Sequence, residues 1–216
     1  MSRAGRVVVA ASLMATLLVT SAERLSAAEF VDAVLAAVEE RTITASDIAL
    51  VRALRLFGFA PSAAPIESSE VERAIDAWLV VREAQRLRLG SATEGRAEAW
   101  DAVVKRVGGA AAVEAWLDRA AVEPEWARRL VEEYLDWQQF VDLRFRAFVF
   151  VTEDQIVSSL GGTADTPESR ARAIATLEAA EVERRLAEWI AETRPGVAVH
   201  LLLAPTERVP VPLPMP

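Results

Sequence analysis

The chain of 216 residues contains no cysteine and a single histidine, His200. The first absence excludes disulfides, thiolate metal sites, a cysteine nucleophile and a lipid-modified N-terminal cysteine. The second excludes any site that needs two imidazoles and leaves a serine–histidine triad without support. Positive charge is also short, at a formal net charge of −8. A duplex nucleic-acid binder needs a basic face for the phosphates, and docking on anionic lipid needs one too, so the composition argues against both. The glycine pairs Gly108-Gly109 and Gly161-Gly162 lack the lysine and serine or threonine of a phosphate loop and read as helix breaks. No repeat of fixed period runs through the chain.

What is present is the composition of a folded protein, 52% hydrophobic and 26% charged, in a length that suits one domain with an extended lobe. Residues 1–28 read as an export signal. Arg3 and Arg6 supply the positive start, and residues 7–19 form an apolar run too short to span a bilayer. Thr20-Ser-Ala22 and Ser26-Ala-Ala28 are alternative cleavage sites; the competing reading of this stretch is a buried first helix. Cleavage would remove three arginines against one glutamate, leaving a more acidic chain. The expected location is therefore the periplasm or another exported compartment, with no stable membrane anchor after cleavage. Residues 205–216 read as a disordered, extended tail, with proline at every second position over 209–216. A second reading makes that tail a self-ligand lying in a binding groove.

Between these ends, residues 29–204 read as one mainly α domain closed by short terminal strands. Val34, Ala36 and Val38 share one strand face and Leu35 and Ala37 the other, so both faces can be covered. Residues 197–203 form a second extended piece suited to pair with it. Thr44 with Asp47 makes a capping box for a first helix over 45–57, stopped by Gly58. Ser69 with Glu72 makes another for a helix reaching Leu89, stopped by Gly90. Residues 93–107 and 111–121 form a helical hairpin about Gly108-Gly109. Pro124 opens a long helix to Phe148, with Trp126, Leu130, Tyr134, Trp137 and Val141 at helical spacing. Thr152 with Gln155 caps a short helix, and residues 165–168 launch a last long one to Arg194.

No catalytic or metal-binding constellation emerges. Glu39-Glu40 and Glu132-Glu133 are adjacent residues, which point apart on a strand or helix, so neither pair converges on one reacting group and both read as solvated surface. Glu153-Asp154 reads as negative charge in the first turn of a helix. His200 reads as structural or exposed.

Three passages, in order, resemble the N-terminal chaperone domain of SurA-type periplasmic proteins, a group that also carries parvulin-type prolyl isomerase modules. The first runs over residues 34–47 and contains Ile43-Thr-Ala-Ser-Asp47, with Glu39-Glu40-Arg41 where the family has asparagine or aspartate. The second is residues 112–146, a short helix, a link and a long helix ending in a basic-aromatic run, with Ala121 where the family often has glycine. The third pairs Val151-Thr-Glu-Asp154 with residues 184–192. Together they cover about residues 30–203. Only residues 158–166 separate the helices that flank the isomerase insert in the family, far too few for that module.

The resemblance implies a non-enzymatic, ATP-independent holdase with no cofactor and no metal, whose partners are unfolded polypeptides such as outer-membrane protein precursors. The alternative is a structural partner of one dedicated envelope protein. A holdase must expose apolar surface able to repack against varied chains. Four aromatics are the candidates for client contact: Trp100 and Trp116, which flank Gly108-Gly109, and Phe57 and Phe59, which flank Gly58. The competing reading for these four is plain packing. Trp78, Trp137 and Trp189 lie on long apolar stripes and read as core.

Overall fold

The computed structural model describes residues 32–89, 93–162, 165–203 and 208–211. The export signal read at 1–28, Gly90 and the last residues of the proline-rich tail lie outside the described residues. The elements begin with β1 (Val34–Val38), β2 (Arg41–Thr44), α1 (Ala45–Leu54), β3 (Ile66–Glu67) and α2 (Ser68–Arg86). The helices α3 (Thr93–Arg106), α4 (Ala110–Ala120), α5 (Pro124–Arg144), α6 (Glu153–Leu160) and α7 (Pro167–Thr193) follow, then β4 (Val199–Leu201) and β5 (Arg208–Val209). The protein is thus mainly helical, with small antiparallel sheets. No described helix is long and apolar enough to cross a membrane.

β1 is the middle strand of a sheet ordered β2-β1-β4, antiparallel to both neighbours. Ala37 stands opposite Thr42 on one side and His200 on the other. Both faces of β1 are covered, with Leu35, Ala36 and Val38 all buried. The closing strand pairs as its apolar pattern predicts, but regular pairing is confined to Val199–Leu201.

Side-chain caps fix most helix starts. Asp47 N–H donates to Thr44 Oγ1 at 3.1 Å while Thr44 N–H donates to Asp47 Oδ2 at 2.9 Å, which satisfies two otherwise orphaned groups of α1. Thr152 and Gln155 do the same for α6. α2 starts two residues earlier than its sequence signal, with Glu67 N–H donating to Glu70 Oε2 at 3.3 Å in place of the Ser69–Glu72 pair. Helix ends depart further from expectation. α1 stops at Leu54, not Phe57, because Arg55 is left-handed (φ 54°), followed by Phe57 (φ 50°) and Gly58 (φ 76°). α2 stops at Arg86, with Arg88 left-handed (φ 55°). α5 stops at Arg144; a 3-10 turn over Arg146–Phe148 follows, and the chain then continues extended at Val149.

Two apolar clusters make the core. The larger gathers β1, α1, the first half of α2, α4 and the first half of α5, including Leu35, Ile48, Ile75, Trp116 and Leu130. The smaller joins α2, α5 and α7 through Val80, Phe140, Val141, Phe145 and Val182, with Trp137, Leu186 and Trp189 packed against it; Ile190 touches both clusters.

The tail boundary at residue 205 needs correction. Arg208–Val209 pairs antiparallel with Ile66–Glu67, Arg208 lies 3.1 Å from the Glu67 carboxylate, and Val209 and Val211 pack against the larger cluster. Apolar valines between the prolines supply the packing that composition alone concealed.

Arg52 locks the loop between α1 and α2. It is 1% exposed, and its Nη1 donates to the carbonyls of Ala64 (2.7 Å) and Ser62 (3.2 Å), while Nε donates to Glu70 at 3.0 Å and Nη2 also pairs with that carboxylate. Removing a buried, multiply bonded charge strands its partners. Arg52→Met is expected to cost about 3 kcal/mol in urea denaturation. Amide exchange should accelerate first in residues 59–66.

Candidate functional site

The left-handed turn after α1 leads to an open, largely apolar groove that contains a sequence-predicted aromatic. Leu56 and Phe59 are buried on either side of Phe57, which is half-buried. A bulky residue at positive φ is an outlier that only surrounding structure can hold in place. The surroundings here are aromatic: the Phe57 ring meets Tyr134 edge-on at 5.3 Å and Trp137 edge-on at 6.1 Å, and Tyr134 stacks on Trp137 at 6.0 Å.

Phe57 and Trp137 form the floor of a groove of about 510 Å³ between α2 and α7. Leu186 and Ile190 extend the apolar lining, and the small side chains of Ala77, Ala187 and Ala191 leave the space open. The rim is polar. Arg194 bridges Glu72 and Asp76, the latter at 3.2 Å, and pins the end of α7 to α2. Burial holds the Asp76 carboxyl above its ordinary range, opposed by Arg194 and reinforced by Glu72. Arg73 lies over the Phe59 ring at 5.1 Å, and Glu183 stands exposed on the α7 side.

Phe57 also borders a small crevice of about 40 Å³, room for a couple of water molecules. That crevice is walled by Arg41, Trp78 and Glu133. Arg41 donates to both Glu133 oxygens at 2.9 and 3.2 Å and lies 4.2 Å above the Trp78 ring. Burial holds the Glu133 carboxyl above its ordinary range, against the pull of Arg41. Glu133 is 7% exposed, which overturns the reading of Glu132-Glu133 as solvated surface; only Glu132 is at the rim, paired with Arg96. The partner that buries Glu133 stands 92 positions away, beyond the reach of any local pattern.

Of the four aromatics singled out, two are withdrawn from the surface. Phe59 is 4% and Trp116 1% exposed; both belong to the larger cluster, Trp116 on the inward stripe of α4 with Val113 and Leu117. Trp100 is half-buried against the same cluster under Arg128, 5.0 Å away. Phe57 lines the groove between α2 and α7, joined there by Trp137, which the stripe of α5 assigned to the core. The sequence reading missed Phe148 and Phe150, which are 59% and 83% exposed. Their signal was present in an aromatic run that falls off the stripe of α5. His200 is exposed on β4. Residues 208–211 lie on β3 and run away from the start of α2, so this part of the tail does not occupy the groove. Among the described residues no cluster of three His, Asp or Glu side chains is placed to hold a metal ion. No family model matches the chain, and no curated protein matches it.

Two outcomes follow from the Arg41–Glu133 pair. Arg41→Met leaves a buried carboxylate uncompensated and is expected to cost about 2–3 kcal/mol in urea denaturation; adding Glu133→Leu should restore most of it, because a buried pair is worth little more than a good apolar replacement. The second outcome concerns pH. A carboxyl whose folded pKa is raised binds its proton more tightly in the folded chain, so its contribution is present below the ordinary carboxyl value of 4.5 and lost as pH rises through the folded value. The stability advantage of the natural chain over Glu133→Gln should therefore widen from pH 7 to pH 4. A constant difference would mean that Glu133 titrates normally.

Proposed function

We propose that this chain is an exported, ATP-independent holdase that takes apolar and aromatic side chains of unfolded polypeptides into the groove between α2 and α7. The observation that carries the reading is Phe57: an aromatic side chain held at φ 50° on the floor of an open apolar groove. Backbone strain of this kind concentrates where function needs a side chain in a fixed place. The resemblance of residues 30–203 to SurA-type chaperone domains supports the same class, and the short link between α6 and α7 leaves no room for an isomerase. A polar rim keeps such a groove soluble while its floor stays apolar, and reversible burial of a client's aromatic side chain requires neither nucleotide nor metal.

A dedicated envelope partner is the second reading. It draws on the Arg194–Glu72–Asp76 network, which fixes one wall of the groove and so favours a single complementary shape over many.

The test is light scattering of a urea-unfolded outer-membrane protein diluted with and without residues 29–216. The natural chain should suppress aggregation at several-fold excess. Phe57→Gly removes the ring and relieves the left-handed strain, so it should cost less than about 2 kcal/mol of stability while abolishing most of the suppression. Trp116→Ala opens a core cavity and should cost about 3–5 kcal/mol, affecting suppression only as the folded fraction falls. No suppression by the folded natural chain, together with one stoichiometric partner in a pull-down, would replace the holdase by the dedicated partner.

A further inference from the structure

Of the large apolar side chains that stand exposed among the described residues, four fall within residues 143–157. They are Leu143 (60% exposed), Phe148 (59%), Phe150 (83%) and Val157 (57%). The stretch runs from the last turn of α5 through the 3-10 turn into α6. Chain geometry alone keeps the other three within about 17 Å of Phe150. Val149 packs inward on the smaller cluster and the Phe148 carbonyl accepts from Arg185 Nη1 at 3.0 Å, so the backbone that carries the two phenylalanines is tied down at both. Apolar surface gathered in this way marks an interaction site. The charges around it are divided by sign. On the α5 side stand Arg144 and Arg146 against one carboxylate, Asp142, which lies 2.7 Å from Arg146. On the α6 side stand Glu153, Asp154 and Asp165 against one guanidinium, Arg170, which bridges Glu153 and Asp165. Ion pairs so open to water contribute little, so the excess charge of each side remains available to a partner.

We infer that this surface is the interface of a two-fold dimer, in which a second copy of the chain covers Phe148 and Phe150. The inference stands apart from the holdase reading, since no client takes part in the contact. Charge selects the occupant. A two-fold contact sets one patch against itself, so a patch of a single sign repels its copy. Here the positive α5 side of each copy meets the negative α6 side of the other, and the attraction is made twice. A chain of net charge −8 repels its copy elsewhere, so self-association needs a place where positive charge gathers. The same division of sign disfavours an anionic lipid surface, which would repel the α6 side. Area sets the strength. The four apolar side chains offer roughly 450 Å², and the charged groups beside them bring each partner to about 600 Å², at the low end of specific interfaces. The dimer is therefore weak and forms with rising concentration.

Sedimentation equilibrium of the whole chain over about 10 to 500 µM tests this. The natural chain should pass from monomer towards dimer within that range. Phe150→Ser, at a site too exposed to disturb folding, should weaken the association about tenfold. Arg146→Glu and Asp154→Arg should each weaken it by a similar factor, because each sets like charges together twice across the two-fold axis. Mixed in equal amounts, those two variants should associate again as a heterodimer, a result that misfolding cannot imitate. A chain that stays monomeric at every concentration overturns the inference, and the surface then passes to a foreign partner. A dimer that survives all three substitutions is built on another face and overturns it equally. So does a mixture of the two charge variants that stays apart.

Discussion

The antiparallel pairing of β1 with β4 is the constraint on which the rest of the architecture depends. β1 lies near the start of the described chain and β4 near its end, and the Leu35 carbonyl accepts from the N–H groups of both Leu202 and Leu203. Both faces of β1 are buried, so its register is held by the backbone pairs to β2 and β4 and by the sizes of the side chains that fill each face. The cost is topological. Contacts between residues so far apart must wait for the intervening chain, and closing that loop is opposed by entropy. The helical body between the strands has to bring the ends together, which is why its own internal ties matter.

Two arginines are the clearest of those ties, and both bear on the groove. Arg52 fixes the 62–65 loop from within, while Arg41 joins the β1–β2 hairpin to α5 and rests on Trp78 of α2. Between Arg52 and the carbonyls it holds, the chain passes through Leu56, Phe57, Gly58 and Phe59. Leu56 and Phe59 are buried and leave the intervening residues little freedom, so Phe57 is pushed into a left-handed conformation with its ring against Tyr134 and Trp137. The strained aromatic floor is thus a consequence of ordinary packing on both sides of it. Loss of the Arg52 network would relax the turn and with it the groove.

How much of this was legible in the sequence follows from the range of each interaction. The capping boxes at Thr44 and Thr152 act across three residues, and both are visible as patterns. The stripes of α4 and α5 show which faces turn inward, and the apolar 197–203 stretch identifies the closing strand. Helix ends were harder, because Arg55 and Arg88 adopt a backbone that glycine usually marks. Trp116 and Phe59 stood beside glycines and so suggested mobile surface, but their burial is decided by helices far away in the chain. Glu133 was misread for the same reason: a carboxylate is driven into the interior only by a partner, and Arg41 is too distant to be seen. The exposed aromatics Phe148 and Phe150 were overlooked because the preceding helical stripe is so regular.

The groove and the exposed Phe148 and Phe150 share one support. Trp137 and Leu186 line the groove and also belong to the smaller cluster, against which Val149 packs to hold Phe148 and Phe150 outward. On the proposed reading each surface binds weakly, since burying one or two aromatic side chains contributes about 1.5–3 kcal/mol apiece before the entropy of ordering a flexible chain is subtracted. Weak contacts suit a protein that must release its client without an energy source.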